Sequence, residues 1–338
     1  MPPGEFEAAS FPYVREGEAY VAAAAWLLTA GCSSAAPVSG PQPDAGTSAV
    51  PDAADAGPDA DAGATSDAGS ARDVGTPIDA GTSVTAPCTL DGDRLTCEYI
   101  AFDVEVRDPV PLRRVVHVGL PKGTPPARGW PTVFLFQGSL FSARLSWTAR
   151  RSDPLGAFAQ AQTVESLLAA GFAVLTPEVR LFGVTYWDTN VPQWALFWSC
   201  SPDHHFMLEL LQGVEAGTFG PLDGERLYAG GISSGGYMTS RMALSYPGRF
   251  RALAVVAGSW ATCAGPLCVL PETLPADHPP TLFLHGEEDP VVPIRTMRRY
   301  EEALRAQGTE TRVVVDPSAR HEFIDAAATE VRDFFLAR

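Results

Sequence analysis

Residues 227–238 read LYAGGISSGGYM, and within them Gly231-Ile232-Ser233-Ser234-Gly235 places a serine two positions from a glycine on either side. A serine hydroxyl is a weak nucleophile, so it has to be lifted clear of its surroundings on a tight turn and paired with a base. Glycines two residues before and after the serine suit such a turn, which leaves no room for side chains there. The backbone N–H of Ser234 would then point at the oxygen of a tetrahedral intermediate. The same pattern in a strand-to-helix turn can cradle phosphate, but no following lysine and no second spaced glycine set accompanies it.

The elements around Ser233 fit that chemistry. From Arg113 onward, short β-branched runs at 115–120, 132–136, 173–176, 227–232, 252–257, 281–285 and 312–315 alternate with amphipathic stretches, and 102–106 reads as an earlier antiparallel strand. Such alternation predicts a mostly parallel sheet of about eight strands with helices on both faces. Helices are expected from Asp153-Pro154 to Gly171, from Ser201 or Pro202 through Leu211, after Ser233, through Met297, Tyr300 and Leu304 to Gly308, and over the C-terminus, with Phe323, Val331, Phe334 and Phe335 on the last. The stretch 180–200, RLFGVTYWDTNVPQWALFWSC, follows neither period and is expected to be a loop at the carboxyl end of the sheet, where open α/β sheets bind ligands.

The motif GISSG, the loop LFLHGEEDPVVPI at 282–294 and the segment VVVDPSARHEF occur in the order Ser, acid, His, and from about Arg113 to the C-terminus the chain resembles the α/β-hydrolase superfamily. More narrowly it resembles the secreted esterases of the polyhydroxybutyrate depolymerase, feruloyl esterase and acetylxylan esterase group. The resemblance implies an α/β-hydrolase fold and a carboxylic ester hydrolase working without a metal or organic cofactor. Ser233 is the implied nucleophile, His321 the base and Asp289 the acid that orients it. Glu287 and Glu288 lie near the acid position and Asp316 is a distant substitute, whereas no other histidine follows Asp289. The family often has Gly before this histidine, where this chain has Ala319-Arg320. Two oxyanion donors are expected, the N–H groups of Ser234 and of Ser139 in FLFQGSLF, with Leu140 as fallback. Gln137 stands where the family usually has histidine, and it is also counted as a substrate-side residue. Trp187 and Trp260 are expected either to wall the acyl side of the cleft or simply to cover the core.

Composition divides the rest of the chain. Residues 33–87 contain no Leu and no aromatic residue, and their eight Asp against Arg72 account for much of the net charge of −16. Nothing there can build a core, so 33–87 is expected to be a disordered linker ahead of a catalytic domain at 88–338. Residues 21–31, VAAAAWLLTAG, followed by Cys32, resemble a signal core ending in a lipobox, making 1–32 a signal segment, Cys32 a lipidation site and the lipid the expected link to a membrane. Arg15 among four Glu, and Thr29, depart from that pattern.

Cysteine usage agrees with export: Cys88 and Cys97 flank an Asp-Gly turn, and Cys263 with Cys268 is the simplest second bridge, with Cys200 to either as an alternative. Adjacent His204 and His205 would point apart on a helix, so a zinc site is not expected. Lys122 is the only lysine and no basic cluster exists, which argues against nucleic acid as a partner. The expected protein is an exported monomer acting on small or polymeric esters. The competing classes are a secreted peptidase of the prolyl-oligopeptidase type and a non-catalytic surface-binding protein of the same fold.

Overall fold

A computed structural model describes residues 84–107, 111–179 and 186–338, all within the unit Val74–Arg338. In chain order the strands are β1 (Cys88–Asp91), β2 (Arg94–Cys97), β3 (Ile100–Val106), β4 (Leu112–Gly119), β5 (Trp130–Phe136) and β6 (Thr148–Arg150), followed by helix α1 (Ala157–Ala169) and β7 (Ala173–Pro177). Then come α2 (Pro192–Leu196), α3 (Pro202–Glu215), β8 (Leu222–Ile232), α4 (Ser234–Ser245), β9 (Phe250–Val256), β10 (Thr281–Gly286), α5 (Ile294–Ala306), β11 (Thr311–Asp316) and α6 (Ala327–Leu336). Eight strands form one sheet in the order β11-β10-β9-β8-β5-β7-β4-β3. The pairs from β7 to β11 are parallel, and β4 is antiparallel to both β3 and β7. All eight expected strands are present in this sheet.

Burial on both faces explains why the central strands are apolar throughout rather than alternating. Every residue of β5 is buried, and its side chains divide between layers with the period of two that a strand imposes. Phe134 and Phe136 join the core beneath α3 and α4 with Phe206, Leu210, Met238 and Met242. Val133 and Leu135 face the opposite layer with Val164, Leu168, Val331 and Phe335 of α1 and α6. A third cluster joins Val255 and Phe283 to Met297, Tyr300 and Leu304 of α5.

Several boundaries depart from the sequence expectation for local reasons. The first helix begins at Ala157 rather than at Asp153-Pro154, because Gly156 takes φ +69° and its Cα lies so close to Phe323 that an added Cβ would meet the Phe323 carbonyl oxygen at 2.0 Å. Leu155 is consequently lifted out of the helix with φ +58° and is exposed. The last helix begins at Ala327, so Phe323 is buried ahead of it and His321 sits in a loop. Thr85, inside the stretch 33–87 expected to be linker, exchanges two backbone hydrogen bonds with Lys122. Cys32, the expected signal segment at 1–32 and most of the expected linker at 33–87 lie outside the described residues.

Cys88 lies opposite Cys97 in the β1–β2 pair and is bonded to it, Cys263 is bonded to Cys268, and no described cysteine is free. Residues 186–203 are anchored by a buried polar cluster. Arg114 donates to the Asp203 carboxylate at 2.8 Å, Asp203 accepts the backbone N–H of Asp188 at 2.7 Å, and Asp188 accepts the Ser201 hydroxyl at 2.8 Å. Arg114 and Asp203 are both almost completely buried, so removing the carboxylate takes a charge partner from Arg114, which also donates to the Glu178 carbonyl, in a medium that solvates charge poorly. Asp203→Ala is expected to destabilise the domain by about 3–5 kcal/mol, measured as a lower urea midpoint at unchanged slope.

Candidate active site

Strand β8 runs straight into α4, and the junction is Ser233 with φ +57° and ψ −119°. A non-glycine residue holds such a conformation only when its neighbours over-determine it. Here the Ser233 N–H donates to the Val256 carbonyl at 3.0 Å, and its own carbonyl accepts the Tyr237 N–H at 3.0 Å. The flanking glycines are required by space. A Cβ on Gly231 would lie 2.6 Å from the Phe136 carbonyl oxygen, and one on Gly235 would lie 2.2 Å from the same atom. The turn therefore packs directly against the end of β5, whose next residues form the loop expected to supply Ser139.

His321 Nε2 lies 2.9 Å from Ser233 Oγ, and His321 Nδ1 lies 2.8 Å from Asp289 Oδ2. Since a carboxylate only accepts, Nδ1 carries the hydrogen and Nε2 offers its lone pair to the serine hydroxyl. The three side chains follow the carboxyl ends of three parallel strands: Ser233 comes directly after β8, Asp289 from the loop after β10 and His321 from the loop after β11. Two backbone bonds, from Glu287 N–H to Asp316 and from Glu288 N–H to Ala319, lash those loops together. Gly286 permits the contact, because a Cβ there would lie 2.3 Å from both the Ala319 and Arg320 carbonyl oxygens. The histidine loop thus holds its course without a glycine before His321.

Asp316, the distant substitute for the acid, is occupied within this loop. Its Oδ1 accepts the Ser318 N–H at 2.9 Å, the Ser318 hydroxyl at 2.9 Å and the Ala319 N–H at 3.1 Å. Glu287 pairs with Arg298 on the surface. Asp289 is the carboxylate that meets His321. Its Oδ1 accepts the N–H groups of Val291 and Val292, each at 2.8 Å, while Oδ2 faces both His321 and His285. Burial favours its neutral form, yet the donors from His285, His321 and Val292 outweigh that and hold the carboxyl well below the usual range.

A cavity of about 260 Å³ opens beside Ser233 and His321. Its described walls include Ser139, Leu140, Leu145, Leu155, Val291 and one amide side chain, Gln160. Gly138 stacks over the serine turn, where a Cβ would lie 3.7 Å from Ser233 Cβ, so the 137–140 loop runs directly above the nucleophile. Ser234 begins α4, where the first N–H groups have no intrahelical acceptor.

Trp187, Trp260 and Gln137 are not among the described residues that line this cavity. Trp187 is fully buried, packs edge-on to Phe136 at 5.3 Å, and donates its indole N–H to the Gln137 carbonyl at 3.0 Å. Trp260 is buried against Tyr300. Gln137 is buried and donates its amide to the Phe141 carbonyl, closing the 137–141 loop on itself. Of the two roles expected for the tryptophans, covering the core is the one they fill. The Ser234 hydroxyl likewise faces inward, donating to Asn190 at 2.8 Å and accepting the Trp187 N–H at 3.0 Å. Sequence reasoning missed the aliphatic walls, which come from loops of no distinctive pattern, and His285, whose signal was the His-Gly pair closing β10.

Residues 208–336 match the family described as phospholipase/carboxylesterase. Over 217 residues the chain is 48% identical to the poly(3-hydroxyoctanoate) depolymerase of Pseudomonas fluorescens, a match covering 64% of this chain and 77% of that protein. Among solved structures, the S-formylglutathione hydrolase of Staphylococcus aureus aligns with a TM-score of 0.50 at 14% identity, covering 71% of this chain and 96% of that one. A ferulic acid esterase aligns with a TM-score of 0.50 at 13% identity, covering 71% and 98%. The structural matches show the fold and the sequence match shows the kinship: this chain belongs to the α/β-hydrolase family of carboxylic ester hydrolases that includes the Pseudomonas fluorescens depolymerase.

Proposed function

We propose that the chain hydrolyses esters of medium-length hydroxyalkanoic acids, including polyesters built from them, through an acyl-enzyme on Ser233. The observation that carries this is the apolar cavity opening onto Ser233 Oγ, and the depolymerase relative supplies the chemical class. In the first half-reaction His321 Nε2 takes the Ser233 proton as Oγ attacks the ester carbonyl carbon. The carbonyl electron pair moves to oxygen, where the backbone N–H groups of Ser234 and Ser139 receive the charge. Collapse expels the alkoxide, which takes the proton from His321, and leaves the acyl group on Ser233. In the second half, water gives a proton to His321 and attacks the acyl carbon; Ser233 leaves with that proton and the acid departs. Asp289 stays ionised throughout and stabilises the imidazolium each time it forms.

The Cys88–Cys97 and Cys263–Cys268 disulfides suit an oxidising compartment, so the enzyme is proposed to act outside the cytoplasm, with Cys32 as its lipid attachment. Fluorophosphonate labelling followed by peptide mapping tests the nucleophile: one adduct on Ser233 is expected, and a folded protein that takes no label there overturns the assignment. The acyl preference is tested with p-nitrophenyl esters. A cavity with aliphatic walls should favour octanoate over acetate by about 100-fold in kcat/KM, since single methylenes in such pockets discriminate about tenfold or more. A flat profile from acetate to octanoate removes the medium-chain assignment.

A further inference from the structure

We infer that His285, which is not one of the three residues above, is the positioning residue that aims Asp289 at His321; this rests on the triad proposed for Ser233. His285 is the penultimate residue of β10, is fully buried, and places Nε2 2.8 Å from the Val292 carbonyl oxygen and 3.3 Å from Asp289 Oδ2. Both neighbours are acceptors, so Nε2 carries a hydrogen, which it donates to the Val292 carbonyl while lying against Asp289 Oδ2. Nδ1 is buried without a hydrogen-bond partner among the described residues, so the ring's polar contacts with the acid loop all pass through Nε2.

The geometry forms a closed loop of restraints. A carboxylate turns about its last torsion, and two N–H groups on Oδ1 leave Oδ2 with a range of directions. His321 approaches Oδ2 from the serine side, and His285 approaches the same oxygen from inside the sheet. Val292 ties the restraints together: its N–H donates to Oδ1 while its carbonyl accepts from His285. The loop bearing the acid is therefore pinned to the rigid end of β10 through the same imidazole that fixes the oxygen His321 must meet. A second-layer hydrogen bond of this kind holds a reacting group within the narrow tolerance that catalysis needs.

The test compares His285→Leu, His285→Asn and His285→Gln in the full chain. Leucine fills similar volume and has no donor, asparagine's amide stops near the place of Nδ1, and glutamine's amide nitrogen reaches about as far as Nε2. Each variant is first titrated with a fluorophosphonate, so that rates refer to folded sites that can react. The expected result is a fall in kcat on p-nitrophenyl octanoate of between about tenfold and 100-fold for leucine and asparagine, with KM changed less than about twofold and glutamine restored to within about fivefold of wild type. Leucine at wild-type kcat overturns the inference, as does an equal loss in all three variants, which would mark packing alone. If leucine does not fold, the asparagine and glutamine pair decides in the same way. Wild-type protein that is not labelled on Ser233 defeats the triad proposal and this inference with it, whereas normal labelling with unaltered variants defeats only this inference.

Discussion

Ser233→Ala is expected to lower kcat for ester hydrolysis by about 10⁶-fold, to abolish fluorophosphonate labelling, and to leave thermal stability unchanged. The magnitude follows from the loss of the covalent route as a unit: without Oγ, His321 and Asp289 have no nucleophile to activate, and the oxyanion donors and binding cavity supply only residual acceleration. The stability expectation follows from the structure. Among the described residues Ser233 Oγ makes one hydrogen bond, to a partly accessible His321, while the strained φ of +57° is held by backbone bonds that alanine preserves. Alanine also has the same Cβ, so the conformational cost is equal in both proteins. Steady-state assays above the spontaneous hydrolysis rate, together with a thermal melt, check both parts. A variant retaining more than a hundredth of wild-type activity, or still labelled, places the nucleophile elsewhere.

Asp289→Asn should be nearly as severe, with kcat reduced by about 10⁴-fold at near-neutral pH and the fold intact. An amide in place of the carboxylate either presents a hydrogen to His321 Nδ1, which selects the wrong tautomer, or turns away and faces its hydrogens toward the Val291 and Val292 N–H groups. Both outcomes remove the charge opposite the imidazolium.

The variant also carries a signature in stability. The Asp289 carboxyl is held below its ordinary value, so in the wild type it contributes stability that is fully present above the unfolded-state value of about 4. That contribution is lost as pH falls through the lower folded-state value. The stability gap between wild type and Asp289→Asn should therefore be constant from neutral pH down to about 5 and shrink below about 4. Urea titrations across that range measure it, and a gap that widens on acidification would show that Asp289 is not held as a carboxylate.

Those effects rest on residues that were legible from the chain because each is constrained locally. The strands were readable from apolar density, since a strand buried on both faces has no polar alternation to confuse it. Gly231 and Gly235 were readable because the turn tolerates no side chain, and the structure supplies the reason in the carbonyl oxygen of Phe136. Helix starts were less legible. Asp153-Pro154 is a sound local signal, yet Gly156 must adopt φ +69° to let the backbone pass Phe323, a residue far along the chain that local pattern does not reveal. Trp187 and Trp260 were ambiguous for a similar reason, because an aromatic ring in a loop lines a cleft or seals a core according to which way the loop is turned.

By itself the amino-acid sequence determined the α/β architecture, the bridge partners available to its cysteines, and the order Ser233, Asp289, His321, since each depends on short-range pattern and on residue types few alternatives can replace. Only the tertiary structure decided which carboxylate of the 287–316 region meets His321, which side chains wall the cavity, and that His285 shares Asp289 with His321. Those facts are distances between segments brought together by sheet order and loop packing. In such contacts a few tenths of an ångström or one turned loop exchanges one neighbour for another, and one-dimensional pattern carries no record of that choice.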